Sequence, residues 1–279
     1  MPFESRRTNE PPPWRAPIHF GSECEQESGA HELLQVAYDM GLISEPHLHD
    51  YHCRCQYCAH DFDRSNPWTA QDDCSISGSG GGEFISKPLL FGSDEHFTSV
   101  EGLATAMLRA RSNPGMAAGN HVHVEAELLG PRNSIQRHRL ARLFHRYQTT
   151  TLALLAQGRE GAVRNYNGTN RPYDEQAFWS TPSSLTKYQA YERRQGYEGN
   201  NIRLSSRLVT VEFRLWNSTR TEWRLNMHAG LSVAMVRTAL DPAVWIEQHD
   251  DRELLDVIAP YCDDSTLESA HRQLAFASR

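Results

Sequence analysis

The sequence predicts an α+β protein, with helices backing an antiparallel or mixed sheet. Three observations carry this. Short segments alternate polar and apolar residues with the period of two expected of half-buried strands, as in "GSECEQE", "NHVHV" and "VTVEFRLW". Longer segments such as "TSVEGLATAMLRARS" and "EWRLNMHAGLSVAMVRTAL" run too far for strands and read as helices. The two kinds are interspersed along the chain without an internal repeat, which argues for one layered domain.

Taken in order, "MPFESRRTNEPPPWRAP" is polar and carries three consecutive prolines, so residues 1–17 are expected to form a flexible, extended tail. It lacks the apolar stretch of a signal peptide. Residues 18–279 are then a single domain. Residues 18–27 read as a strand. A short helix follows, with Ser28 as its expected N-cap and Gly41 as its stop. Residues 44–70 look like an irregular Cys/His-rich insertion. "QDDCSISGSGGGEFISKP" suggests two short strands around a glycine turn. A helix from 98 and the "NHVHVEAEL" strand come next. The long helical pattern from Ser134 stops at Gly158. Residues 159–182 read as loop and "SSLTKYQAYERRQ" as helix. "SRLVTVEFRLWN", rich in β-branched and aromatic residues, is a clear strand. The remainder is helical.

Composition narrows the function. The chain has 279 residues, 39% of them hydrophobic, and a net charge of −7. That balance gives no basic surface for nucleic acid. The mean hydropathy of −0.62 and the absence of a long apolar run argue against a membrane protein. A cytoplasmic protein is expected. No pattern specifies an oligomeric state.

Three strands share one grammar. Glu23 and Glu25 stand two apart around Cys24, His121 and His123 two apart around Val122, and Glu212 and Arg214 two apart around Phe213. Each pair lies on one strand face, with small or apolar residues on the other. Glu83 opens a further strand. If these strands share a sheet, one face gathers carboxylates and imidazoles, which repel or lose solvation unless cations neutralise them. Such oxygen-rich sets suit Mg²⁺ or Mn²⁺. An arginine beside them fits a phosphate oxygen, and the combination points to phosphoryl transfer. No P-loop is present, since Gly82 is followed by Glu83.

"GSECE", "GEFISKP", "GNHVHV" and "TVEFRLWNST" resemble, in this order, the motifs of the amidoligase family of carboxylate–amine ligases, which includes glutamine synthetase and glutamate–cysteine ligase in its superfamily. The loop with "YHCRC" is similar to that of phage-type members. The resemblance runs from about Phe20 to about residue 240. It implies a glutamine-synthetase-like sheet with helices outside and the metal site on its concave face. It implies an enzyme that uses ATP and Mg²⁺ (or Mn²⁺) to join a carboxylate and an amine, from an amino acid, peptide or protein. It also implies roles. Glu23, His121 and Glu212 would share one cation, and Glu25 and Glu83 would hold another. Arg214 would contact the transferred phosphoryl group, and His123 would lie near the nucleotide. The "SGSGGG" before Glu83 is longer and richer in glycine than the family pattern.

Other residues enter as smaller candidates. Arg203 and Arg207 could help hold nucleotide phosphates. Asp73 and Ser75 could touch substrate, and "VRNYNGTNRPY" could form a lid, although a plain loop fits that composition equally well. Cys24 and Cys74 read as small core residues. Cys53, Cys55 and Cys58 with His60 (or His52) have the composition of a tetrahedral zinc site. About one zinc per chain is therefore expected in protein purified without added metal. Elemental analysis checks this, and zinc retained after Cys55→Ser with Cys58→Ser would refute it.

Two rivals remain. A cupin-like metal protein could use His121, His123 and Glu127, but would not need the Glu23/Glu25 or Glu212/Arg214 strands. A phage structural or binding protein could keep a ligase fold without activity.

Overall fold

The computed structural model describes residues 12–48, 66–72, 76, 80–115, 118–130, 134–147, 154, 202–205, 210–244 and 253–277. Among the described residues seven strands form one sheet: β1 (His19–Gln26), β2 (Trp68–Gln71), β3 (Gly82–Ser86), β4 (Leu89–Leu90), β5 (Gly119–Glu125), β6 (Ile202–Ser205) and β7 (Thr210–Asn217). Their order is β2-β3-β1-β5-β7-β6, with the short β4 also pairing β1. Every described pairing is antiparallel. The helices among the described residues are α1 (Ala30–Asp39), α2 (Asp94–Arg109), α3 (Ile135–Arg146), α4 (Glu222–Leu240), α5 (Leu254–Ile258) and α6 (Asp264–Ala277).

Alternation sorts the residues of each central strand. Phe20 and Cys24 of β1, Phe84 of β3, Val122 and Val124 of β5, and Val211 and Phe213 of β7 are all buried beneath helices. Under β1 to β3 the cover is α1 and α2, through residues such as Leu33 and Leu103. Under β5 and β7 it is chiefly α4, buried around most of its circumference, as a helix through the middle of a core must be. The opposite face of the strands is left for polar residues.

Several local expectations shift. Part of the expected tail is structured: Pro13–Arg15 forms a 3₁₀ turn whose Trp14 packs on the core. The insertion expected to run to residue 70 ends earlier, because Trp68 and Ala70 enter the sheet as β2 and are buried. The first helix is capped by Gly29, not Ser28. Gly29 has φ 78°, and a Cβ there would meet the Ser112 Cα at 2.9 Å, where the chain at Ser28 bridges Asn113. The second helix starts at Asp94, because the Ser93 hydroxyl accepts the His96 N–H. Residues 202–205 pair with β7 as a strand of their own. The predicted stop at Gly158, the loop at 159–182, the lid segment and the helix at 183–195 lie outside the described residues.

His96 is buried against Phe20 and Phe97, and its Nδ1 accepts the Gly92 N–H at 3.1 Å. Burial pushes its pKa down to about 4. The ring is therefore neutral in the fold and charged in the unfolded chain between about pH 6.5 and 4. The unfolded state binds the extra proton there, so stability falls as pH falls through that window. The expected loss attributable to His96 is about 3 kcal/mol by pH 4. Urea titrations of wild type and His96→Asn across pH 4–7 test it, and parallel pH profiles would dismiss the assignment.

Candidate functional site

The strand face opposite the helices carries Glu23 and Glu25 from β1, Glu83 from β3, His121 and His123 from β5, and Glu212 and Arg214 from β7. Register brings them together. Glu23 stands opposite His121, Glu25 opposite Glu83, and His123 opposite Glu212. Cross-strand partners lie close enough for their side chains to interact directly.

His121 sits at the centre and is buried. Its Nδ1 is 3.0 Å from Glu23 Oε2 and 4.0 Å from Glu212 Oε1. Its Nε2 is 3.3 Å from Glu25 Oε1. Two clusters result, Glu23–His121–Glu212 and Glu25–Glu83–His121, and in each the potential ligand atoms lie within 4.8 Å of one another. One imidazole thus faces two carboxylate sets through its two ring nitrogens. The donor chemistry, mostly carboxylate oxygen with one nitrogen, suits Mg²⁺ or Mn²⁺.

Arg214 Nη1 meets Glu212 Oε1 at 2.5 Å, while its side chain keeps 28% exposure. The guanidinium is fixed at one corner yet open to a ligand. Burial would raise the Glu212 carboxyl, but Arg214 and then His123 outweigh it and hold the group below its ordinary value. Glu23 behaves similarly. Burial pushes it up, and the charge of His123 with hydrogen bonds from both histidines holds it well below the carboxylate range. His123 is the reciprocal case. Burial lowers it, and Glu23, 2.8 Å from its Nε2, raises it above its usual value. Its Nδ1 lies 3.2 Å from Thr210 Oγ1.

Glu25 and Glu83 are 1% and 4% exposed, so neither is hydrated by bulk water. Glu25 accepts the Gly119 N–H at 2.5 Å, and Glu83 accepts Gln71 Nε2 at 2.7 Å. Gln71, Gly119 and Thr210 are functional neighbours that the sequence reading missed. Only β2 and the sheet register reveal them.

Beside Glu23 and His123 lies a cavity of about 430 Å³. Gly21 lies along it, Ile85 and Pro88 line it, and Glu125 stands at its rim near His19. Its size falls within the range of small-molecule sites.

Other sequence candidates divide. Arg203 stands opposite Glu212 in the β6–β7 register. Arg207, Asp73, Ser75, Cys74, and the proposed zinc ligands Cys53, Cys55, Cys58, His60 and His52 lie outside the described residues. Cys24 is buried in the core, and burial pushes its thiol up to about 12. The cupin set is not assembled. β5 ends at Glu125, Glu127 is exposed in a 3₁₀ turn, and among the described residues neither cation-ready cluster contains His123 or Glu127.

No family model matches the chain, and no curated protein matches it. Among the described residues no helix is long and apolar enough to cross a membrane.

Proposed function

We propose that the protein is an ATP-dependent carboxylate–amine ligase of the amidoligase type, built on a glutamine-synthetase-like sheet whose concave face bears the metals. The observation that carries this reading is the pair of carboxylate clusters meeting at His121, with Arg214 anchored on Glu212 beside them. A hydrolase of simple esters does not need such an array. Moving a phosphoryl group between oxygens does, because negative charge spreads over its oxygens in the transition state.

Glu23, His121 and Glu212 would hold one Mg²⁺ or Mn²⁺, and Glu25 with Glu83 a second. When bound, the cations neutralise the phosphate oxygens and fix their direction. Arg214 supplies a planar, permanently charged donor for the migrating group. His123, 2.8 Å from Glu23, lines the end of the site next to the cavity, where it would lie near the nucleotide. The nucleotide would occupy that cavity, with Arg203 and Arg207 as further candidates for holding its phosphates. In the first step a carboxylate oxygen of the substrate attacks the γ-phosphorus and ADP departs. In the second an amine attacks the acyl carbon, phosphate departs, and the nitrogen loses its proton. Activation is needed because a free carboxylate has no leaving group. The protein's contribution is positioning and charge.

A phage origin and a cytoplasmic place of work, where ATP is supplied, accord with this reading. The test is phosphate release from ATP with Mg²⁺ and pools of amino acids and peptides. Release that depends on both a carboxylate and an amine supports ligation. Failure to bind Mg-ATP favours the inactive structural protein instead.

A further inference from the structure

Behind the polar face, the residues alternating with the site residues build a second polar assembly inside the core. Asn120 immediately precedes His121, and Ser22 and Cys24 flank Glu23. All three are buried. The Asn120 Oδ1 accepts from Ser22 Oγ at 2.8 Å and from Cys24 Sγ at 3.4 Å. That fixes the orientation of the amide, so its Nδ2 faces His228 Nδ1 of α4 at 3.0 Å. His228 must then accept through Nδ1 and carry its proton on Nε2.

A β-bulge completes the assembly. Asn120 pairs with Trp216, but Val122 pairs with Phe213, so β7 uses one more residue than β5 over this stretch. Without the bulge, Trp216 would follow Glu212 and Arg214 onto the site face. With it, Trp216 turns into the core, stacks on His228 (centroids 4.8 Å apart, planes at 10°) and donates its Nε1–H to Ser232 Oγ at 2.9 Å. Ser232 in turn donates to the His228 carbonyl at 2.8 Å.

We infer that His228 is a positioning residue for the metal-ligating face: through Asn120 it ties α4 to β1 and β5 at the point where Glu23 and His121 emerge, and so sets the direction of both ligands. The bulge places Trp216 as the clamp that holds the imidazole ring. An apolar core would serve the fold as well as this network, because burying six polar side chains costs solvation that their mutual bonds only offset. What the network adds is direction, the contribution that outer-shell partners make to metal sites. Burial followed by the charge of Arg224 lowers the His228 pKa to about 3, which keeps Nδ1 free to accept.

The inference rests on the metal reading of the face, and two substitutions test it. His228→Phe keeps a ring against Trp216 and removes the acceptor. His228→Asn loses the stack but offers an oxygen close to the place of Nδ1. Mn²⁺ binding to the full chain is followed by electron paramagnetic resonance, well below each variant's melting temperature. His228→Phe is expected to weaken Mn²⁺ by about 10- to 100-fold, and His228→Asn to restore most of it despite its poorer packing. Affinity that tracks melting temperature across the two, or an unchanged affinity in His228→Phe, overturns the inference and leaves the metal centre standing. Wild-type protein that binds no Mn²⁺ overturns both. Should His228→Phe not fold, Ser22→Ala removes the other end of the strut, and wild-type affinity there is equally fatal.

Discussion

Arg214→Ala should lower kcat for ATP turnover by on the order of 100- to 1000-fold while moving the KM for ATP far less. The reasoning starts from its partner. Arg214 is tied to Glu212, so its guanidinium is already oriented when the nucleotide arrives. A group aligned in advance contributes most where charge is greatest, in the transition state. Arg214→Lys should recover little, because a point charge on a flexible stem cannot hold a carboxylate and a phosphate oxygen in one plane. The fold should persist, since Val211, Phe213 and Leu215 anchor the strand from the other face. One side effect is expected. Glu212 loses the largest influence holding its carboxyl down, so cation binding at that corner should become more sensitive to acid. Steady-state turnover with a productive acceptor pair, alongside thermal melts, measures these effects. Near-wild-type turnover in Arg214→Ala means the phosphate lies elsewhere.

Much of this face was legible because a strand's period of two is rigid. Once "SECEQ", "HVHV" and "VEFRL" are read as strands, Glu23 with Glu25, His121 with His123, and Glu212 with Arg214 must share faces. What alternation cannot supply is register. That Glu23 meets His121, and Glu25 meets Glu83, follows from long-range pairing between segments of very different sequence position. The bulge between the Phe213 and Trp216 pairings was invisible for the same reason. Pure alternation places Trp216 with Arg214, and only the paired strand shows the extra residue. Gln71 escaped notice because β2 is four residues long and ends a stretch dominated by histidine and cysteine. β6 is equally short and is masked by the stronger strand that follows it. The cap at Gly29 reflects the nearness of Ser112, which local propensity does not contain.

Glu83→Gln should separate the needs of the fold from those of the site. Glu25 and Glu83 face each other across β1 and β3, both almost wholly buried. Without a cation, two charges so placed repel in a medium that screens them poorly. Glutamine has nearly the same shape, and its carbonyl oxygen can still accept from Gln71 Nε2, so the substitution removes charge and leaves packing and that hydrogen bond in place. The metal-free protein should therefore gain about 1–2 kcal/mol, a rise of a few degrees in Tm. The response to cation should move the other way. At 100 times its Kd, a bound Mn²⁺ stabilises the wild type by about 2.7 kcal/mol, and most of that gain should vanish in Glu83→Gln. The two melting curves then cross: the variant is the more stable protein in chelator and the less stable one in millimolar Mn²⁺. Calorimetry in both media decides the matter. A variant weakened in chelator and stabilised by Mn²⁺ as much as the wild type would mean that Glu83 serves the fold and not a cation. The crossing is the signature of a carboxylate kept at a cost to stability because a ligand needs it, and no structural role for Glu83 alone produces it.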